Sequence, residues 1–258
     1  MFIKKEEPQS IFITGASSGL GSHLALEYAQ NGRTLHLCGR NKERLEASAQ
    51  SCRKKGAKVF TYIFDTTDEK AATKAITQAF KRTPLDLVIA NAGVSAGVIG
   101  MPENTEATRK IMTTNIFGTL NTVLPALELM KKRHKGHIAL IASLAGYRGM
   151  ASCPAYSASK AAVKAFGEAL YGQQKPKGIH ITTICPGFIE TPLTDKNKFY
   201  MPFLMKANKA ARIIHKQLNK RPALIGFPRI MVFAAWLGSC LPSWIALPLF
   251  ALFPKKEK

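Results

Sequence analysis

The residues with the clearest chemical potential lie in one short stretch, residues 151–165 (ASCPAYSASKAAVKA). Tyr156 and Lys160 stand four positions apart, so a helix would place both side chains on one face, one turn apart. An ammonium group held beside a phenol favours the phenolate, and it lowers the phenol's pKa from about 10 toward neutral pH. Such a tyrosine can give a proton to a substrate oxygen or take one from it. Alone the pair is a weak indication, because tyrosine and lysine at this spacing are common on solvated helix faces.

A glycine-rich turn near the N-terminus predicts a site for a dinucleotide. Residues 10–14 form an apolar run, the turn TGASSGLG follows at 14–21, and a helical pattern covers 20–30. In a strand–turn–helix unit these glycines allow the turn, a close approach to a pyrophosphate and tight helix packing, and the helix N-terminus attracts phosphate. The residues of the turn predicted to bind the cofactor are Gly15, Ser17, Ser18, Gly19, Leu20 and Gly21.

The residue after the second predicted strand bears on the choice of cofactor. The strand at 34–38 runs into Gly39 and Arg40, where an acidic residue would bind ribose hydroxyls and an arginine accommodates a 2′-phosphate. Arg40 therefore favours NADP(H) over NAD(H); the alternative is a solvated arginine on a loop. Asp65, just after the third strand, is placed to meet the adenine amino group.

Strands and helices alternate along the chain. The predicted strands are 10–14, 34–38, 58–64, 85–90, 137–142, 179–185 and 223–225. The predicted helices are 20–30, 42–55, 69–82, 107–131, a helix through Tyr156 to 172, and 207–218. Asn41 is predicted to cap the second of these helices, and a capping box from Thr66 to Glu69 to open the third. This βαβ order predicts a single α/β domain with a parallel sheet covered on both faces, and ligands bind at the carboxyl ends of such strands.

Two polar residues have both a structural and a functional interpretation. Asn115 lies in an apolar helical stripe and needs a partner, which is either a core hydrogen-bonding group or a bound water used in proton transfer. Ser143 follows the fifth strand, where it is either a turn residue or a contact to a ligand.

Composition indicates one domain with anionic partners. The chain has 258 residues, 46% of them hydrophobic, which suffices for a substantial core. Its 37 lysines and arginines against 16 acidic residues give a net charge of +21, which suits phosphate-bearing cofactors, acidic lipid surfaces or nucleic acid. No nucleic-acid recognition motif accompanies this charge, so we expect no nucleic acid as a partner.

Cysteine and histidine positions predict no metal site. The five cysteines and six histidines show no metal-ligand or redox spacing, and an odd, scattered set of cysteines indicates free thiols in a reducing compartment. The N-terminal MFIKKEEPQS lacks the apolar core of a signal peptide, so we expect a cytoplasmic protein.

The motifs together resemble those of the short-chain dehydrogenase/reductase family over roughly residues 10–191. They are TGASSGLG (14–21), Asp65, NAG (91–93), Asn115, Ser143, YSASK (156–160) and PGFIET (186–191). The resemblance implies a doubly wound Rossmann fold, a nicotinamide cofactor, and a homodimer or homotetramer formed through the helices that bear Asn115 and Tyr156.

The resemblance also implies roles for single residues. Tyr156 is the general acid in ketone reduction and the general base in alcohol oxidation; Lys160 holds the nicotinamide ribose and lowers the Tyr156 pKa. Ser143 binds the substrate oxygen, and Asn115 keeps a water that links Lys160 to solvent. The remaining cofactor contacts implied are Asn91, Ala92 and Gly93 beside the adenosine half, and Pro186, Gly187, Ile189 and Thr191 toward the nicotinamide.

Beyond these motifs, two apolar stretches concern the substrate and a membrane. Residues 192–206 indicate either an apolar lid over a substrate or ordinary packing. The catalytic domain then covers 1–228, followed by an apolar and basic extension, 229–258, in which 230–253 carry no charge. This extension is interpreted first as a broken amphipathic anchor on an anionic membrane surface; a membrane-spanning helix and a tail buried in a dimer are the alternatives.

Two functions follow from the whole sequence. The first is an NADP(H)-dependent oxidoreductase that interconverts a ketone or aldehyde and an alcohol, with a lipophilic substrate. The second is a non-catalytic NADP(H)-binding sensor or scaffold, which would need no proton donor.

Overall fold

The computed structural model describes residues 7–95, 103–194 and 200–251. Within these ranges the strands are β1 (Ser10–Thr14), β2 (Thr34–Gly39), β3 (Lys58–Ile63), β4 (Leu87–Ala90), β5 (Gly136–Ile141), β6 (Ile179–Pro186), β7 (Ile189–Glu190), β8 (Met205–Lys206) and β9 (Leu224–Phe227). Seven of them form one parallel sheet in the order β3-β2-β1-β4-β5-β6-β9, and β7 pairs with β8 separately. The strand order reverses between β1 and β4, which opens a crevice at their carboxyl ends.

The helices cover both faces of the sheet, as the alternating pattern predicts. They are α1 (Gly19–Tyr28), α2 (Lys42–Arg53), α3 (Glu69–Arg82), α4 (Thr105–Met112), α5 (Gly118–Lys131), α6 (Pro154–Gln174), α7 (Ala207–Leu218), α8 (Arg229–Cys240) and α9 (Ser243–Ala251). One core cluster joins α1, α2 and α7 to the sheet, and a second joins α3, α5 and α6 to its other face. Central strands such as β1 and β5 are buried throughout, which explains their uninterrupted apolar sequences. The predicted doubly wound fold is therefore confirmed.

Most predicted element boundaries differ from the observed ones by no more than two residues, but two local predictions were wrong. The capping box does not form: Asp68 caps α3, because its side chain accepts a hydrogen bond from the Ala71 amide. The predicted helix over 107–131 is interrupted by a π-helical turn, Thr113–Phe117, which contains Asn115.

The apolar C-terminal extension folds as two short helices up to Ala251, and its residues 252–258 lie outside the described residues. α8 ends at Cys240, Leu241 and Pro242 form the break, and α9 follows. Among the residues described, no helix is long and apolar enough to cross a bilayer. Part of the predicted lid, residues 195–199, lies outside the described residues.

Candidate active site

The glycine-rich turn needs its glycines for stereochemical reasons. Gly15 and Gly19 have φ values of +67° and +55°, a region that side-chain-bearing residues rarely adopt. A Cβ on Gly21 would lie 2.2 Å from the Gly15 carbonyl oxygen, so α1 packs against the turn as only a glycine allows. The Leu20 side chain is buried in the core, which leaves only its backbone to face the crevice.

The N-terminus of α1 fits a phosphate group. Ser18 is the extended N-cap residue, yet within the described part of the chain its hydroxyl caps none of the helix amides. These amides and the positive end of the helix dipole are therefore directed at the crevice. Ser17 lies beside the end of β2, since a Cβ on Gly39 would be 3.0 Å from its Oγ. The residues present thus fit the pyrophosphate of a dinucleotide.

Asn91 and Ala92 brace this turn. The Asn91 side-chain amide donates to the Thr14 carbonyl (2.9 Å) and more weakly to that of Gly15 (3.3 Å). The backbone amides of Asn91 and Ala92 donate to the Thr14 hydroxyl at 3.0 and 3.1 Å. Thr14, the first residue of the glycine-rich motif, therefore joins β1 to the end of β4.

Arg40 and Asp65 meet at the adenosine end of the crevice. An Arg40 Nη1–Asp65 Oδ2 distance of 3.1 Å defines an ion pair whose side chains are 56% and 38% exposed. Burial raises the pKa of Asp65, but hydrogen bonds from the Thr67 amide and hydroxyl and from Arg40 outweigh it, so the pKa lies below its usual value. The pair leaves an exposed guanidinium beside the position expected for the adenosine ribose.

The side-chain amide nitrogen of Asn115 donates both of its hydrogen bonds to protein groups. Its side chain accepts from the Val94 amide (2.8 Å) and donates to the Val94 carbonyl (3.0 Å) and to Ser159 Oγ (2.9 Å). The residue is fully buried, and the π-helical turn brings it between the loop after β4 and α6. These contacts support the interpretation of Asn115 as a core amide that fixes the site's shape.

Three of the four predicted catalytic residues meet at the carboxyl edge of β5 and the start of α6. The Ser143 hydroxyl accepts from the Ala145 amide (3.1 Å) and is near enough to the Tyr156 phenol to lower the pKa of that group. Lys160 is almost fully buried; its Nζ donates to the Ile141 carbonyl (2.9 Å) and lies 5.8 Å from the centre of the Tyr156 ring. A Cβ on Gly93 would be 3.4 Å from that Nζ and 3.1 Å from Asn115 Oδ1, so a side chain at this position would crowd the Asn115 amide.

The expected lowering of the Tyr156 pKa by Lys160 is not found. Burial raises the Tyr156 pKa to about 12, against a weaker lowering by the Ser143 hydrogen bond. Burial also lowers the Lys160 pKa, from 10.5 to about 8. The ammonium group points to a backbone carbonyl and to the ring rather than to the phenol oxygen, so desolvation dominates both groups.

The turn after β6 reaches the glycine-rich turn. Pro186 ends β6 opposite Phe227, and the Gly187 amide donates to the Phe227 carbonyl (2.8 Å). Ile189 is buried, and a Cβ on Gly19 would lie 3.2 Å from the Thr191 side chain. Thr194, which the sequence analysis did not single out, holds this turn: its hydroxyl donates to the Ile189 carbonyl (2.6 Å) and accepts from the Thr191 amide (3.0 Å).

Glu103 is a further residue that the sequence analysis missed. Its carboxylate accepts hydrogen bonds from the backbone amides of Ala155 and Tyr156, at the N-terminus of α6. A carboxylate there is favourable because the first amides of a helix are otherwise unsatisfied. No local pattern could reveal this contact, which joins residues more than fifty positions apart.

The fold and the site agree with comparisons to known proteins. Residues 9–199 match the family model described as short chain dehydrogenase. An uncharacterized oxidoreductase of Myxococcus xanthus is 35% identical over 243 residues, which are 94% of each chain.

Solved structures match over most of the chain at lower identity. A short-chain dehydrogenase from Sphingobium yanoikuyae in complex with NADPH is 22% identical with a TM-score of 0.78, over 96% of this chain and 98% of that one. A short chain dehydrogenase from Mycobacterium paratuberculosis bound to NAD is 22% identical with a TM-score of 0.74, over 87% and 97%. The fold is thus shared by NADPH-bound and NAD-bound proteins and does not decide between the two cofactors. On the sequence matches, the chain belongs to the short-chain dehydrogenase/reductase family of NAD(P)-binding oxidoreductases, which act on CH–OH and C=O groups.

Proposed function

We propose that the protein interconverts a lipophilic ketone or aldehyde and its alcohol with NADP(H), and that Tyr156 is the general acid and base. The observation that carries this proposal is the proximity of the Ser143 hydroxyl to the Tyr156 phenol at the carboxyl edge of the sheet, on the side of the crevice lined by Gly93. When bound, the nicotinamide supplies or accepts the hydride.

The chain's own residues handle the oxygen atom and the proton. In reduction, Ser143 holds the carbonyl oxygen and Tyr156 donates its proton to that oxygen as negative charge develops on it. A Tyr156 pKa raised to about 12 keeps the phenol protonated at neutral pH, which suits this direction. In oxidation the same phenol must first lose its proton before it can accept one from the alcohol.

Arg40 supports the preference for NADP(H). Its exposed guanidinium follows β2 and pairs with Asp65, where a planar group with several donors can bind a 2′-phosphate bidentately. An acidic residue at position 40 would repel that phosphate.

Apolar side chains near the site support a lipophilic substrate. The pairing of β7 with β8 brings residues 205–206 beside 189–190. Just before β8, Tyr200, Phe203 and Leu204 are exposed, Tyr200 by 83%. We propose that these residues contact the substrate and that the protein acts in the cytoplasm, attached to a membrane surface.

We also propose a homodimer or homotetramer formed through α5 and α6. Phe117 and Leu124 support this arrangement, because they are large apolar residues left exposed at and beyond the π-helical turn that leads into α5. Sedimentation velocity of the wild type and of Leu124→Ser measures the mass directly; a monomeric wild type would refute the proposal.

The first experiment is NADPH oxidation against a panel of lipophilic ketones and aldehydes in mild detergent. We expect Tyr156→Phe to lose turnover by about 10²–10⁴-fold because the proton donor is removed. Tyr171→Phe, on the same helix but away from the crevice, is the matched control and should keep turnover. Full activity of Tyr156→Phe would refute the proton-donor role, and tight NADPH binding without turnover on any compound would favour a sensor or scaffold.

A further inference from the structure

The two C-terminal helices expose an apolar surface of unusual extent, which we call the tail face. In α9 (SWIALPLFA) only Ala246 is fully buried, although the helix carries no charged residue. The tail face consists of Ile230, Phe233, Trp236, Leu237, Trp244, Ile245, Leu247 and Leu249. Helices that are apolar on all sides are normally buried, and a contiguous exposed apolar patch usually marks an interaction surface.

α8 and α9 are nevertheless fixed to the body of the protein. Met231, Val232 and Ala235 pack against the second core cluster. A Cβ on Gly238 would be 2.7 Å from the Phe250 ring, so the two helices touch closely. The tail face is therefore a defined surface, not an unfolded end.

Arg148 attaches the junction between these two helices to the loop that bears Ser143. Its guanidinium donates to the carbonyls of Ser239 (3.4 Å) and Leu241 (3.2 Å) and to Ser243 Oγ (3.3 Å). α8 begins just after the carboxyl end of β9 and ends at Arg148, which lies in the loop between β5 and α6. The helix thus crosses the carboxyl edge of the sheet, the edge at which the site opens.

We propose that the tail face binds the surface of an anionic lipid bilayer, without spanning it, and so places the active-site edge at the membrane. Among the described residues neither tail helix can cross a bilayer, but side chains of both can enter its interfacial layer. Trp236 and Trp244 are 52% and 78% exposed, and tryptophan favours this layer because its ring is apolar and its N–H stays hydrogen-bonded.

Charge favours a bilayer over a second copy of the chain as the occupant. Residues 196–258 contain twelve lysines and arginines against one acidic residue, Glu257, and the exposed Arg229 stands at the start of the tail face. An anionic surface attracts such a segment by about 1 kcal/mol per basic residue near it. A second copy docked on the tail face would instead bring two of these basic segments together, and their like charges repel.

The chain offers an internal probe for this binding, because its only two tryptophans lie in the tail face. Titration with phosphatidylcholine vesicles containing about 30% phosphatidylglycerol should shift tryptophan emission to shorter wavelength, and brominated lipids should quench it. We expect binding at least about ten-fold tighter than to pure phosphatidylcholine, with the difference lost in high salt. No emission shift and no co-sedimentation with anionic vesicles would overturn the proposal.

A double variant tests the surface while keeping both tryptophans. Phe233→Ser with Leu247→Ser should weaken vesicle binding about ten-fold or more, since both exposed side chains leave the lipid-facing area. Ile63→Ser with Leu224→Ser removes two exposed apolar residues elsewhere and should bind as the wild type does. Equal unfolding midpoints of the variants exclude misfolding as the cause. If the tail variant instead changes the sedimenting mass and vesicles have no effect, the tail face contacts a second copy and the proposal is wrong.

The membrane proposal does not rest on hydride transfer. The vesicle titration uses neither cofactor nor substrate. A protein that binds vesicles but lacks turnover would contradict only the proposed function, and an active protein that does not bind vesicles would contradict only the membrane proposal.

Discussion

Among single residues, Lys160 has an unfavourable local environment, because its charge is buried and its Nζ is hydrogen-bonded to the Ile141 carbonyl. Its pKa falls from 10.5 to about 8 on burial, so between those values the unfolded chain binds more protons than the folded one. The unfolding free energy should therefore rise as the pH increases from about 8 to 10.5. Below about pH 8 the buried ammonium of Lys160 destabilises the fold to its full extent. A shift of this size corresponds to roughly 3 kcal/mol, part of which the bond to the Ile141 carbonyl offsets.

Lys160→Met should consequently stabilise the fold while it abolishes turnover. We expect its unfolding free energy to exceed that of the wild type by about 1–2 kcal/mol at pH 7, with the difference shrinking toward pH 10. Urea unfolding of both proteins at several pH values measures this. A variant less stable than the wild type at pH 7 would show that the Ile141 bond outweighs the buried charge.

Arg40 is the residue on which cofactor preference should depend. Arg40→Ala should weaken NADPH binding by about 10–100-fold and NADH binding much less, because only NADPH carries the 2′-phosphate. Isothermal titration with both cofactors gives the two affinities. Arg53→Ala removes an exposed, ion-paired arginine at the other end of α2 and serves as the control. Equal losses for the two cofactors would reject the role of Arg40 at the 2′-phosphate.

At the scale of elements, the glycine-rich turn and α1 form one close-packed unit. Gly21→Ala would place a Cβ 2.2 Å from the Gly15 carbonyl and 2.6 Å from Asn91 Nδ2, and both contacts are too short to persist. We expect the unfolding free energy to fall by about 2–4 kcal/mol, because the turn must shift. Dinucleotide binding should become too weak to measure for the same reason. Thermal unfolding and NADPH titration are the measurements.

Gly172→Ala is the matched control for this prediction. Gly172 lies inside α6, and a Cβ there meets nothing within 4 Å. Alanine should therefore stabilise that helix by about 0.5–1 kcal/mol. If Gly21→Ala proved as stable as Gly172→Ala, α1 would not be packed on the turn as closely as described.

At the scale of the whole molecule, Arg148 joins the tail helices to the active-site loop. Arg148→Met should release the junction between the two helices, so amide exchange over residues 229–251 should accelerate. The unfolding free energy should change by only about 1 kcal/mol, because α9 buries little. Hydrogen exchange measures the first effect, with Arg212→Met on α7 as an exposed control. Unchanged exchange in the tail would mean that core packing alone holds α8.

Local sequence patterns determined much of this protein's fold. Apolar runs, the glycine-rich turn and helix periodicity predicted the order of strands and helices, because backbone conformation and burial period depend on near neighbours. The spacing of Tyr156 and Lys160 likewise predicted that they share a helix face. The capping box failed, because Asp68, one residue before the helix, competes successfully for the first amides of α3.

Only the tertiary structure decided how the chemical groups are used. The partner of Lys160 is the Ile141 carbonyl, the partners of Asn115 are Val94 and Ser159, and Glu103 caps α6. These contacts join residues about twenty to more than fifty positions apart. The degree to which a side chain is buried depends on every element packed around it. Burial raises the Tyr156 pKa, which is the reverse of the shift expected from the sequence. The same holds for the apolar tail: composition left three placements open, and the contacts of Arg148 and the second core cluster fold it across the active-site edge with its apolar face outward.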